Sequence, residues 1–231
     1  MPTDLFAFYR SVSSVYSSRI EGEGIDFDSY YKHRFLNVEY RPDYTQKADD
    51  LFAAYEYMEG KALTLDHLKE VHSILSANLL PSTQRGAVRN NPMFVIGDDE
   101  RIEYVAADPN AVEKELEKLF SDVQKLRRAE LSTTEIFLFA SLIHLVFVKI
   151  HPFEDGNGRA ARLLEKWFLT GKMGELVTSV QLEKNYFAHL KAYYSNLRKL
   201  GLEYETLNYD LATDFLLMTI HGLRSQSRNI A

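Results

Sequence analysis

Residues 151–162 read HPFEDGNGRAAR, and their types and order suit chemistry at a phosphate. Pro152 prevents a preceding helix from simply continuing. Gly156 and Gly158 let the backbone turn tightly and expose its N–H groups. A second helix starting near Asn157 or Gly158 would add a positive dipole end, which with free N–H groups makes an anion site. Arg159 and Arg162 are three apart and share one face of that helix's first turn. Two guanidinium groups beside such a nest suit a polyphosphate. Asp155 could hold a Mg²⁺ shared with phosphate oxygens. His151, at the mouth, could take a proton from an attacking hydroxyl. GxxxxGK[ST] is absent, so this is not a Walker loop, and no GxGxxG or HRD segment suggests a kinase.

The elements that must position these residues read mostly as helices. Ile136 to Ile150, IFLFASLIHLVFVKI, is the greasiest stretch and runs directly into His151. It falls short of the ~20 apolar residues a bilayer requires, and Ser141, His144 and Lys149 interrupt it, so it reads as a buried core helix. Ser132 and Glu135 form a capping box before it. Further helices are predicted over 4–21 with Thr3 as N-cap, 45–59, 65–79 capped by Thr64, 109–128 opened by Asp108-Pro109, 158–170, 183–200 and 208–223. Segment 22–44 gives no clear pattern. MFVI (93–96) and RIEYV (101–105) flank the turn-forming GDDE and read as a β-hairpin. The fold class expected is mainly α with one small inserted hairpin.

Composition sets the outer limits. The chain has 231 residues, 45% hydrophobic and 26% charged, an ordinary globular balance. It has no Cys, which excludes a disulfide framework, a zinc-thiolate site and a Cys nucleophile. The net charge of −6 argues against a nucleic-acid coat. The N-terminus has no basic region followed by an apolar run, so it does not read as a secretory signal. The expectation is a cytoplasmic protein with no nucleic-acid or membrane partner.

HPFEDGNGRAAR resembles the signature of Fic-domain proteins, HPFx[D/E]GNGRxxR, at every fixed position. The apolar helix before it, GAVRNNPMFVIGDDERIEYVAADP upstream and KNYFAHL downstream also look like that family, over roughly residues 10–200. The resemblance implies a Fic-type helical domain and transfer of AMP from ATP to a protein Ser, Thr or Tyr hydroxyl, with pyrophosphate leaving. His151 would be the general base and Asp155 the Mg²⁺ ligand. Gly156, Asn157 and Gly158 would hold the α- and β-phosphates, and Arg159 and Arg162 the outer ones. Tyr186 or Asn185 would line the adenine pocket.

SSRIEG, residues 17–22, resembles the family's inhibitory motif, [S/T]xxxE[G/N]. Ser17 and Glu21 are four apart and share a helix face. By that resemblance Glu21 pairs with Arg162 and keeps it from the γ-phosphate. The hairpin would be the family's flap, where Met93, Phe94, Val95 and Ile96 dock a target protein by strand addition. The implied organisation is an inhibitory helix over 1–24 packed on the core, a catalytic domain over 25–224 and a tail over 225–231.

Plainer roles exist for each residue. A lone histidine is more often structural, a lone Asp a turn or cap residue, and arginines on a first turn are often solvated. Glu154 fills the variable signature position and reads as exposed, and His144 reads as a satisfied core histidine. Three functions compete with adenylylation: AMP removal, transfer of another nucleotide, and an ATP-sensing interaction module with little turnover. Self-modification, assembly with further copies and a toxin role with a built-in inhibitor stay open.

Overall fold

The computed structural model describes residues 4–97 and 100–227, and side chains through residue 220. Among them are ten α-helices and one two-stranded antiparallel hairpin. The helices are α1 (Leu5–Ile20), α2 (Phe27–Leu36), α3 (Pro42–Tyr57), α4 (Leu65–Leu75), α5 (Pro109–Arg128), α6 (Thr133–Ile150), α7 (Asn157–Met173), α8 (Leu182–Ala188), α9 (Leu190–Arg198) and α10 (Thr213–Ser227). The strands are β1 (Phe94–Ile96) and β2 (Ile102–Val105).

Helix α6 is the axis of the fold. Its capping box forms as predicted, with Ser132 and Glu135 satisfying each other's backbone N–H groups. Apolar residues surround it on nearly every side, so it must be buried. It packs against α5, α7 and α10, and Phe137, Ala140, Leu145 and Phe147 are at most 1% exposed. At 18 residues it is long and apolar enough to cross a membrane, yet here it lies inside the core. Helix α7 returns antiparallel along it, burying Leu163, Leu164 and Phe168 against the same core.

Helix α1 packs against α3 and α8 and joins the main core through Ile20. Five small serines, Ser11, Ser13, Ser14, Ser17 and Ser18, lie buried on it, so its neighbours approach closely. A buried polar knot pins its middle. Ser13 Oγ donates to Glu183 Oε2 (3.0 Å), Tyr55 OH donates to Glu183 Oε1 (3.0 Å), and Lys166 pairs with Glu183 at 3.1 Å.

Several boundaries differ from the sequence reading. Asp4, not Thr3, caps α1, accepting from Phe6 N, and Thr3 lies outside the described residues. The unplaced segment 22–44 contains α2, capped by Asp26. The predicted 183–200 helix is two, broken at His189, whose Nδ1 bonds Asn185 O at 3.0 Å. Two 3₁₀ turns precede α10, so no helix starts at 208. Helix α10 runs to Ser227, and residues 228–231 lie outside the description.

Candidate active site

The loop between α6 and α7 is held from below by residues far away in sequence. His151 ends α6 in the left-handed region, φ 53° and ψ 61°, which turns the chain out of the helix. The last α6 carbonyls need donors, and Arg89 supplies them. Its Nε donates to His151 O (2.7 Å) and its Nη2 to Ala107 O (2.6 Å) and Ile150 O (3.4 Å). Its Nη1 donates to Asn91 O at 2.7 Å, so one buried guanidinium joins the helix end to both feet of the hairpin. A cation there also complements the helix dipole.

His72 braces the next turn. Its ring stacks on Phe153 with centroids 3.6 Å apart. Gly86 N donates to Nδ1 (2.9 Å), so Nε2 carries the proton and donates it to Asp155 O (2.9 Å). Burial lowers the His72 pKa to about 4, so the ring stays neutral in this role. Gly156 has φ +78°, and a Cβ there would press on Leu75 (3.1 Å) and on His72 Nε2 (3.3 Å). Glycine is therefore required twice over.

The Asn157 side chain has a structural part of its own. It accepts from Phe153 N (2.9 Å) and donates to Phe153 O (2.7 Å), closing the loop on itself. The side chain thus locks the turn, and only its backbone N–H remains for an anion. Ala160 N is the first α7 amide to donate within the helix, to Gly156 O. The amides of Asn157, Gly158 and Arg159 precede it, the anion-binding start the sequence implied.

His151 lines a cleft of about 540 Å³ together with Glu21, Gly158, Arg162, Tyr193 and the flap residues Val95 and Ile96. Its Nδ1 lies 3.1 Å from Val148 O, an acceptor, so Nδ1 is protonated and the Nε2 lone pair is the basic site. Burial pushes the His151 pKa below its ordinary value, and the Arg89 charge pushes the same way. The ring is neutral near pH 7 and fit to accept a proton.

Glu21 occupies this cleft. Arg162 Nη2 donates to Glu21 Oε1 at 2.6 Å, while Nε donates to Ser17 Oγ (2.9 Å) and Nη2 also to Ser17 O (3.1 Å). The guanidinium is 1% exposed. A Cβ placed on Gly158 would meet Glu21 Oε1 at 2.5 Å, so the carboxylate rests over the start of α7. Burial alone would raise the Glu21 pKa, but Arg162 and Arg159 outweigh it and hold it down, so the group stays ionised. Tyr194 OH donates to Ile20 O (3.0 Å), fixing the helix end that presents Glu21. Glu23, two residues on, accepts from Arg159 Nη2 at 3.3 Å and from Lys47 at 2.6 Å. Both signature arginines therefore face a carboxylate of the α1–α2 connection.

Other expected site residues fall differently. Tyr186 does not line the cleft. It is fully buried, with its hydroxyl on Glu165 (2.8 Å) and Thr219 (2.8 Å), because the polar pair of His144 and Glu165 needs a buried partner there. Asn185 likewise turns away, donating to Met218 O. Tyr193 and Tyr194 of α9 stand in the cleft wall instead. His144 is the satisfied core histidine expected, bonded to Glu165 (2.7 Å) and Tyr193 OH (2.9 Å). Glu154 is only partly exposed and accepts from Asn91 Nδ2. Met93 precedes β1 rather than lying in it, and Phe94, Val95 and Ile96 form the strand. Asp155 is exposed, and its Oδ1 accepts from Gly156 N. A single hard carboxylate beside a phosphate nest fits Mg²⁺, which takes one or two carboxylates plus phosphate oxygens. Among the described residues no cluster of three His, Asp or Glu side chains forms a fuller metal cage.

Arg89, His72, Tyr193, Glu23 and Lys47 were not singled out in the sequence as site residues. Arg89 lies in the upstream segment that resembles the family, though not in its signature; for the others the only signal is type.

Residues 62–169 match the Fic/DOC family. The chain is 32% identical over 106 residues to the protein adenylyltransferase Fic of Nematostella vectensis and 27% identical over 133 residues to the protein adenylyltransferase fic-1 of Caenorhabditis briggsae. Those stretches cover 46% and 57% of this chain but only 22% and 24% of the relatives' own lengths. The fold is similar to the crystal structure of a Fic family protein from Desulfovibrio desulfuricans G20, with a TM-score of 0.80 at 21% identity, covering 100% of this chain and 66% of that one.

Proposed function

We propose that this chain, which belongs to the Fic family through residues 62–169, is an autoinhibited protein adenylyltransferase. The observation that carries the reading is Glu21 held by Arg162 over the amide nest of α7. An enzyme that must grip a polyphosphate there cannot do so while a carboxylate holds the same groups.

With Glu21 displaced, the amides of residues 157–159 and the guanidinium groups of Arg159 and Arg162 take the phosphates of ATP. Asp155 would hold Mg²⁺, which when bound neutralises phosphate charge. A target segment adds to the free edge of β1, bringing a Ser, Thr or Tyr hydroxyl to His151. Nε2 takes the hydroxyl proton as the oxygen bonds the α-phosphorus and the bond to the β-phosphate oxygen breaks, releasing pyrophosphate. Positioning and charge neutralisation supply most of the rate.

The test is incorporation of α-phosphate-labelled ATP into protein with Mg²⁺. Wild type is expected to label weakly and Glu21→Gly at least about tenfold more, since couplings of this kind are worth about 1–3 kcal/mol. Equal labelling by both overturns the inhibitory reading. A second reading is AMP removal, favoured by Glu21 and His151 lining the same cleft. Under it, wild type releases AMP from a modified protein and Glu21→Gly does not. A nucleotide-sensing module without turnover predicts ATP binding and no labelling in either protein. A panel of four nucleotides sorts the base preference.

A further inference from the structure

Lys149 is a charged side chain of the cleft wall that the proposed reaction leaves idle. It is 3% exposed. Lysine is almost never this buried unless paired, because an ammonium taken from water needs compensation. Yet among the described residues no carboxylate lies within ion-pair distance of it. Its Nζ sits over the Tyr104 ring, 3.9 Å from the centroid, and Tyr104 OH donates to Lys149 O at 2.7 Å. A cation–π contact of this kind is worth about 2 kcal/mol when desolvated, less than the cost of burying the charge. Burial accordingly pulls its pKa down to about 8, so it still carries most of its charge near pH 7.

Its location indicates what it awaits. The phosphate groups of the proposed reaction are met on the α7 side, by the nest, Arg159 and Arg162. Lys149 belongs to α6, under β2, and shares the cleft wall with Val95 and Ile96 of the docking strand. The other charges on that wall are already matched, since Glu103 pairs with Arg198 at 2.6 Å. The ammonium is thus an unmatched positive charge on the side where a target would enter.

We propose that Lys149 is a specificity residue that pairs with a carboxylate on the target segment, close to the hydroxyl that His151 deprotonates. This rests on the cleft being a protein-modifying site, and it adds a preference for acidic targets that strand addition alone does not give. The Tyr104 ring shelters the ammonium until the carboxylate arrives.

The test uses Glu21→Gly protein and short synthetic peptides with one threonine, with Glu or Gln scanned through the flanking positions. Peptide binding is read by fluorescence polarisation, and Mg·ATP affinity and thermal melting are measured in parallel. Glu is expected to tighten binding over Gln about tenfold at one position, the scale of a charge-assisted hydrogen bond. Lys149→Met is expected to abolish that preference, Lys149→Arg to keep it, and both to leave Mg·ATP affinity within about twofold. Lys149→Met is also expected to melt no lower than its parent, because it removes a buried unpaired charge. A Glu preference that survives in Lys149→Met, or none at any position, overturns the proposal. So does a loss of Mg·ATP affinity with the preference intact, which would give Lys149 to the nucleotide. Labelled-ATP transfer is followed on the same peptides. Lysine-dependent binding without transfer removes the transferase reading and keeps the anion site, and transfer without a Glu preference does the reverse.

Discussion

The α6–α7 loop and the hairpin border the same cleft and are built in opposite ways. In the loop, Phe153, Asn157, Arg159 and Arg162 are at most 4% exposed, and side chains from α1, α4 and the segment before β1 hold it. In the hairpin, Phe94, Ile96 and Ile102 are 47%, 64% and 50% exposed, and among the described residues the two short strands pair only with each other apart from one bridge at Glu203. The proposed proton transfer needs atoms fixed to fractions of an ångström, and the over-determined loop fits it. A surface that takes in another chain's backbone needs a free edge and adaptable contacts. Rigidity and openness are divided between neighbours rather than averaged over the cleft.

That division can be broken at four points. The largest effect is expected from His151→Ala in the Glu21→Gly background, which should lower AMP transfer about 100- to 10,000-fold, the usual range for a general base. A loss under tenfold in the labelling assay would remove His151 from that role. Arg89→Ala comes next. It strands the Ile150 and His151 carbonyls at the α6 end and those of Asn91 and Ala107 at the hairpin feet, and should cost about 3–4 kcal/mol in urea unfolding. A cost below ~1 kcal/mol would mean that water replaces the guanidinium.

The third prediction concerns pH. The His72 pKa is lowered from an ordinary 6.5 to about 4 in the fold. A lowered histidine pKa means the unfolded chain binds the proton more readily. Its contribution is therefore full above pH 6.5 and lost as pH falls toward 4, by about 3 kcal/mol in all. The stability of wild type should fall more steeply over that window than that of His72→Asn; parallel curves would sink the brace. The smallest effect is on the other side of the comparison. Ile96→Ser should change stability by less than about 0.5 kcal/mol, as exposed positions do, while raising the KM for a protein acceptor. A large stability loss there would show that the hairpin is structural after all.

What was legible in the sequence follows the same line. Elements whose signals are local could be read directly: the capping box at Ser132, Pro109 opening α5, and the hairpin strands around GDDE. The signature was legible because its residues lie within one segment, and Ser17 with Glu21 because they share a helix face. What could not be read depends on distance. Arg89 and His72 reach His151 and Asp155 only after the chain folds back on itself, and the residue type alone does not announce that. Tyr186 was misplaced because an aromatic near the site reads the same whether it faces the cleft or the core; the buried Glu165 decides it. Helix α2 escaped although Phe27, Tyr30, Tyr31 and Phe35 fall at helical spacing, because it is only ten residues long and Asp28, Lys32, His33 and Arg34 are interleaved with them. The break at His189 escaped because apolar spacing continues across it with no Gly or Pro to mark the end.

The knot of Ser13, Tyr55, Lys166 and Glu183 bears on how such a protein is switched. It ties the middle of α1 into the interior, eight residues before Glu21. An enzyme inhibited by a detachable peptide can be activated by a protease that clips the peptide away. Here a cut that removed α1 would strip Val12, Val15 and Ile20 from their packing and leave Glu183 and Lys166 facing solvent. The product would be a damaged protein rather than a liberated enzyme. On the proposed reading, release of Glu21 is confined to the last turn and the Gly22 bend, where φ is +85° and a side chain can swing without any helix leaving. A switch of that size, if Glu21 inhibits as proposed, can be thrown and reset many times in the life of one molecule.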